Sequence, residues 1–331
     1  MKTITLTSVL LALNVAVFAT VWRVNPTPGS SAHFTTLQAA HDNASVVNGD
    51  TLYFEGSAFP AGSIAFYKKL TIIGSGYFLS ENPQTQFNQA PSIIDGYVYF
   101  YNGSQGSQII GCTFQNGAIY IYTDEITLER NYFNFWWHGY YIYATGNVSD
   151  ISILSNYIKT SAPGSWSILY FPNSHSNILI SNNYLEGIVS TSTYFTGMFT
   201  NNIFNGPVTV YNSTLINNIA ITTPVTLDNC VTSYNIGTST QFGNENGNLE
   251  NVPLGSIFVG LSGNSTDGQW QLKEGSPAIG AGEGGADCGI FDGAYPYVLS
   301  GLPPIPAIYD LNSQSLPGST LNVNLKAKSH N

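Results

Sequence analysis

Ionisable side chains are scarce in this sequence, so the few that gather are the first place to look for chemistry. Asp124, Glu125, Glu129 and Arg130 fall close together, and His138 and Lys159 follow within the next repeats. Arg130 and Lys159 are the cations of that group. The plainer reading of the same residues is a surface ion pair, Glu129 or Glu125 with Arg130, which has little energetic weight. No acidic triplet is shaped like a calcium site, and no Gly-x-Ser-x-Gly motif occurs. Gly74-Ser75-Gly76 has no helix or lysine after it, so it is a turn and not a phosphate loop.

The second candidate chemistry is non-covalent. Neighbouring residues on a strand face opposite ways. In Tyr97-Val98-Tyr99-Phe100-Tyr101, Val98 and Phe100 can fill a core while the tyrosines face out. The same alternation puts Tyr120 and Tyr122 outward, then Tyr141 and Tyr143 around an inward Ile142, then Trp166, Ile168 and Tyr170. Further on, Val208-Thr209-Val210 and Val225-Thr226-Leu227 put threonine outward, so the aromatic stripe fades. Phe135-Trp136-Trp137-His138-Gly139-Tyr140 and 159–175 are excursions flanking the stripe. Candidate ligand-binding residues are therefore Tyr99, Tyr101, Tyr120, Tyr122, Trp136, Trp137, His138, Tyr141, Tyr143, Trp166 and Tyr170. Asp124, Glu125, Arg130, His138 and Lys159 are near enough in sequence to supply polar contacts. Stacked tyrosines also stabilise sheets through cross-strand contact, so packing alone is the competing account.

These residues are positioned by a repeat. Leu128-Glu-Arg-Asn131-Tyr132, Ile153-Leu-Ser-Asn156-Tyr157 and Ile180-Ser-Asn-Asn183-Tyr184 share one pattern. Phe199-Thr-Asn-Asn202-Ile203, Leu215-Ile-Asn-Asn218-Ile219 and the degenerate Thr232-Ser-Tyr-Asn235-Ile236 continue it, and Ile110-Gly-Cys-Thr113-Phe114 puts Thr at the Asn position. Intervals from 113 to 235 of 18, 25, 27, 19, 16 and 17 residues suggest a coil that stacks on itself. Asn tolerates a left-handed backbone and suits a tight corner. Repeated one layer up, its amides can form a ladder. Ile, Val, Tyr and Thr with period-two alternation argue against helices.

The 331 residues are 43 % hydrophobic and only 8 % charged, with net charge −10 and no basic patch, which excludes nucleic acid as a partner. Met1-Lys2 and the apolar run 4–19 read as a secretory signal peptide over 1–19, and no later stretch could span a bilayer. Cys112, Cys230 and Cys288 are too far apart for a disulfide framework and read as small buried hydrophobes. Sequons at Asn43, Asn102, Asn147, Asn212 and Asn264 are expected by composition in so Asn-rich a chain. Phe34, Leu37, Ala40, His41 and Ala44 share one helical face, ending near Asn48-Gly49. Such a helix would cover the exposed first edge of a stacked sheet. Residues 294–331 contain Leu321, Val323, Leu325 and Ala327 alternating with Asn and Lys, which predicts a C-terminal β cap.

Leu37-Gln-Ala-Ala40 followed by Gly49-Asp-Thr-Leu-Tyr53, then Leu70-Thr-Ile-Ile-Gly74, resembles the N-terminal cap and first coils of pectate-lyase-like right-handed parallel β-helix proteins. Ser276-Pro-Ala-Ile-Gly280 and Asp287-Cys-Gly-Ile-Phe291 resemble the closing segment of secreted, bacterial β-helix repeat proteins. The resemblance implies an all-β solenoid over residues 20–293. It covers lyases, hydrolases and proteins without known activity, so function must be argued from the site. Lyases of this kind take a proton beside a uronate carboxylate, with calcium as a common partner; here Arg130 or Lys159 would be the base. The paired Asp-Asp, Gly-His-Gly and Arg-x-Lys of polygalacturonase-type hydrolases are absent. The expectation is a secreted, extracellular, periplasmic or surface protein that contacts a polysaccharide or cell-surface glycan without catalysis or cofactor. The alternatives are a polysaccharide lyase, with calcium possible, and an adhesive rod.

Overall fold

The computed structural model describes residues 19–135, 139–161, 165–221, 224–316 and 320–330. The signal-peptide run 1–18 and the candidate residues Trp136, Trp137 and His138 lie outside the described residues. The chain forms a right-handed parallel β-helix. Sheet A has ten strands and sheets B and C have eight each. From Thr71 to Asp228 each coil visits A, B and C in turn, pairing in parallel with its neighbours. Short runs of alternating residues build it: Val98, Phe100, Ile119, Ile121, Phe133, Phe135, Ile142 and Leu169 all point inward and are fully buried.

Asn131, Asn156, Asn183, Asn202, Asn218 and Asn235 occupy the corner between sheets A and B and are fully buried. Each side-chain amide donates to the side-chain oxygen of the next, at 2.9–3.1 Å. The row runs one coil further than the sequence pattern, ending on Asn248 at 3.0 Å. That same oxygen accepts the backbone N–H of the preceding ladder Asn, for example Asn156 N–H to the Asn183 side chain at 2.8 Å. The buried amides are thus fully engaged, as buried polar groups must be.

Two details of the expected corner change. The left-handed residue is the one before each ladder Asn: Arg130, Ser155, Asn182, Asn201, Asn217 and Tyr234 all have φ of 53–60°. And Thr113 is not at the ladder position, because Tyr132 pairs with Thr113. That register puts Cys112 opposite Asn131, and its N–H donates to the Asn131 side chain at 2.9 Å.

The helix at the first coil is short, Leu37–Asp42, with Thr36 capping its start. His41 is buried on that face, and its Nε2 accepts the Tyr67 N–H at 2.9 Å. Cys112 and Cys288 are buried, but Cys230 is only half-buried.

The last eighty or so residues do something the repeat does not announce. The residue after each ladder Asn faces outward on sheet B, in the column Tyr132, Tyr157, Tyr184, Ile203, Ile219, Ile236. A second hydrophobic layer covers that column, made by Val252, Ile257, Phe258, Ala278, Cys288, Ile290 and Tyr297, with Trp270 against it. The chain then runs back along the corner, toward the first coils. Asn217 takes the Glu283 N–H, Asn201 donates to the Asp287 and Gly289 carbonyls, and Asn182 to those of Ile290 and Asp292. Ser155 donates to Tyr295 O at 2.6 Å and Arg130 to Leu302 O at 2.8 Å. At Gly301 a Cβ would sit 2.2 Å from the Tyr77 ring and 2.6 Å from Arg130 O, so the approach requires glycine. The segment 294–305 therefore runs beside the early coils, and it is residues 242–252 that follow on from the last coil.

One buried carboxylate ties this strap down. Asp267 accepts from Asn82 Nδ2 (2.9 Å), Ser265 Oγ (2.9 Å), Tyr297 OH (3.2 Å) and the Ser300 N–H (2.6 Å). A buried carboxylate is tolerable only when surrounded by donors, and here, beside the neighbouring Ser265, they come from two segments distant in sequence.

Candidate functional site

The outer face of sheet C carries a cluster of tyrosines over its early coils: Tyr67, Tyr97, Tyr99, Tyr101, Tyr120, Tyr122, Tyr140, Tyr143 and Tyr170, with Tyr211 standing apart further on. Strand register builds it. Tyr99, Tyr120, Tyr143 and Tyr170 pair one above the next, and the column continues as Ser190, Thr209 and Thr226. The stripe fades where the alternation said it would.

The rings do not lie flat on the sheet. Tyr67, Tyr101 and Tyr122 stack at 5.0 Å and 5.0 Å, with planes 13° and 15° apart. Tyr99 and Tyr120 stack at 5.3 Å and 13°. The spacing is close to that of neighbouring strands, so each ring has its faces against the coils above and below. What points outward is the ring edge with its hydroxyl. Ring faces open only at the ends of a stack, as at Tyr122, which is 44 % exposed and has Tyr101 on one side. Partial burial, then the neighbouring phenols, push the Tyr99, Tyr120 and Tyr122 hydroxyls above the ordinary tyrosine range. Partial burial, then Tyr140, does the same for Tyr170. These four hydroxyls stay protonated at neutral pH, donating and accepting hydrogen bonds without charge.

Tyr141 corrects the sequence expectation. It is fully buried, and Tyr140, at 36 % exposure, takes the outward place. In the strand 140–144 two consecutive residues, Tyr141 and Ile142, are buried after the exposed Tyr140. The Tyr141 hydroxyl donates to Phe135 O at 2.5 Å and its ring packs edge-on to Phe135. Tyr140 instead stacks on Tyr170 at 4.3 Å. Ile168, expected outward, is also buried. Trp166 is half-buried, packed against the core, with its ring beside Gly139.

The candidate bases are not on this face, and they do not meet. The Arg130 side chain is 11 % exposed, beside Glu129 at 3.3 Å. Its Nη1 donates to Leu302 O and His330 O, so the guanidinium is a clamp on the strap and has no open approach for substrate. Burial lowers its pKa, partly offset by Glu129. Lys159 stands on sheet B, between Asn134 and Glu186 in register. Asp124 accepts the Ser149 N–H at 2.6 Å and closes a turn. Among the described residues no group of three metal-ligating side chains comes together.

Sheet B offers an internal comparison. Tyr132, Tyr157 and Tyr184 also form a ladder there, the first pair edge-on at 5.8 Å and the second stacked at 4.6 Å. There the chain covers its own tyrosines: Trp270 stacks on Tyr184 at 4.5 Å and Phe78 packs on Tyr132 at 4.8 Å. On sheet C the tyrosines keep their hydroxyl edges to solvent.

No family model matches this chain, and no curated protein matches it. Among solved structures, a GH136 lacto-N-biosidase from Eubacterium ramulus is similar over 66 % of this chain and 56 % of that one, at 11 % identity and a TM-score of 0.36. The chain thus spans a little over half of that enzyme's length. A likeness at this identity and score bears on neither activity nor substrate. Among the described residues no helix is long and apolar enough to cross a membrane.

Proposed function

We propose that this is a non-catalytic protein of the cell exterior that contacts a polysaccharide or cell-surface glycan through the outer face of sheet C. The observation that carries the reading is the tyrosine array left open there while the ladder on sheet B is covered from within the chain. Tyrosine supplies rigid, amphipathic contact area at low entropic cost. Rows of phenol hydroxyls suit a ligand dense in hydroxyls, and the open ring face at Tyr122 can take the apolar face of a sugar ring. A lyase is the weaker reading, because Arg130 is committed to the strap and Lys159 stands on another sheet.

The test is binding of the purified chain to a panel of plant, algal and animal polysaccharides, with Tyr122→Ala and Tyr101→Phe beside it. Each change weakens binding, roughly tenfold for the lost ring and less for the lost hydroxyl, with Tm nearly unchanged. Mutants that bind as well as the parent would dismiss the face. Reducing-end release from any polymer in the same panel would dismiss the non-catalytic part.

A further inference from the structure

The C-terminal hairpin, Ala307–Leu316 paired with Thr320–Lys328, is a sheet of its own. Leu311, Leu321, Val323 and Leu325 lie on one face of it and are 38–63 % exposed. An isolated two-stranded ribbon is marginal in water, so this arm is built to lie against something. At the other end of the molecule, sheet C finishes on Val225–Asp228, whose outer edge pairs with no described strand. Such an edge is a template for one more strand.

The two segments have the same pattern with opposite charge. Val225-Thr226-Leu227-Asp228 reads against Val323-Asn324-Leu325-Lys326. Laid in the parallel register that every coil of sheet C already uses, Val323 falls beside Val225, Leu325 beside Leu227 and Lys326 beside Asp228. The apolar residues extend the inner face, where Val208 and Val225 already pair. The polar residues extend the outer one. Thr226 and Asp228 are exposed, and among the described residues the Asp228 carboxylate has no partner. Lys326 is 56 % exposed beside Asp310 and can turn to a second carboxylate.

We propose that the arm of one copy of this chain adds, in that register, to the free edge of sheet C in a second copy. The arm cannot serve its own edge. It is rooted where His330 O meets Arg130, four coils before Val225–Asp228. Four strand spacings are roughly 19 Å, whereas Lys326 stands only about 14 Å of extended chain from His330. Arm and edge are different surfaces, so the contact is head-to-tail and repeats along a chain of molecules.

Sedimentation of the full chain across a concentration series at low salt tests this. Self-association is expected, weakening as salt is raised. Asp228→Lys, which leaves the arm untouched, should weaken it roughly tenfold or more, and so should Lys326→Glu. An equimolar mixture of the two variants should recover it, since each then offers what the other lacks. Circular dichroism of each variant checks that the fold is kept. A chain that stays monomeric throughout, or association unmoved by Asp228→Lys, overturns the proposal.

Discussion

Replacing Asn183 by Ala isolates what the buried ladder contributes. Its Nδ2 donates to Ile153 O (2.8 Å), Ser181 O (3.0 Å) and the Asn202 side chain (3.0 Å). Its Oδ1 accepts from the Asn156 N–H (2.8 Å) and the Asn156 side chain (3.0 Å). The left-handed position is the neighbouring Asn182, so alanine at 183 meets no backbone strain. Asn202 Oδ1 keeps the Asn183 N–H and Asn156 Nδ2 keeps Leu128 O. The Asn156 N–H loses the side-chain oxygen it is bonded to, and Ile153 O loses a donor. A buried unsatisfied group costs about 1–3 kcal/mol; two of them, with the small void, give a loss of about 3–5 kcal/mol. That is a large share of a typical stability of about 5–15 kcal/mol. Urea unfolding followed by circular dichroism measures it, and hydrogen exchange at the Asn156 amide localises it. Asn147→Ala, at an exposed turn, should change stability by less than about 0.5 kcal/mol. A loss below about 1 kcal/mol at Asn183, with the Asn156 amide still protected, would refute the assignment of stability to the ladder.

Asp267→Ala leaves four donors without their acceptor and should cost about 3–5 kcal/mol, with faster proteolysis in residues 294–305 as the strap loosens. Trp270→Ala uncovers the sheet B ladder; a loss of about 2–4 kcal/mol in urea unfolding is expected, without the change in glycan binding that the sheet C mutants give. Burial first, then Glu186, lifts the Tyr132 hydroxyl from 10.0 to about 12, and Tyr157 and Tyr184 are lifted further, again mainly by burial. These phenols hold their protons longer when folded than when unfolded. Their contribution is therefore intact below about pH 10 and lost as pH rises through the folded values. Tyrosinate absorbance should show some tyrosines ionising while the chain is folded, and the sheet B tyrosines only as it unfolds.

The solenoid and most of its ladder were legible because one residue type recurs at one corner, and the same stacking that builds the core repeats the signal. The tyrosine face was legible for the same reason: Tyr99 and Tyr120 alternate with core residues. What alternation could not show was a local break in it: Tyr141 faces inward, with its hydroxyl on Phe135 O. The strap was invisible to periodicity, being irregular backbone bonded to side chains far away in sequence. A signal for it was nonetheless present. In Tyr132-Phe133, Tyr157-Ile158, Tyr184-Leu185 and Ile203-Phe204, both successive residues are apolar, which marks a strand buried on both faces. Arg130 looked like chemistry because it is one of few cations; its place at a corner crossed by the strap makes it a clamp.

Chemical footprinting of the tyrosines, with and without polysaccharide, tests the central claim most directly. The chain carries its own control in Tyr194, which is 75 % exposed and lies outside the sheet C array. With a bound glycan, nitration of Tyr67, Tyr101, Tyr122 and Tyr140 should fall several-fold while Tyr194 reacts as before. Protection at Tyr194 equal to that of the array, or none at the array with any polymer, would contradict a carbohydrate-contacting role for this face.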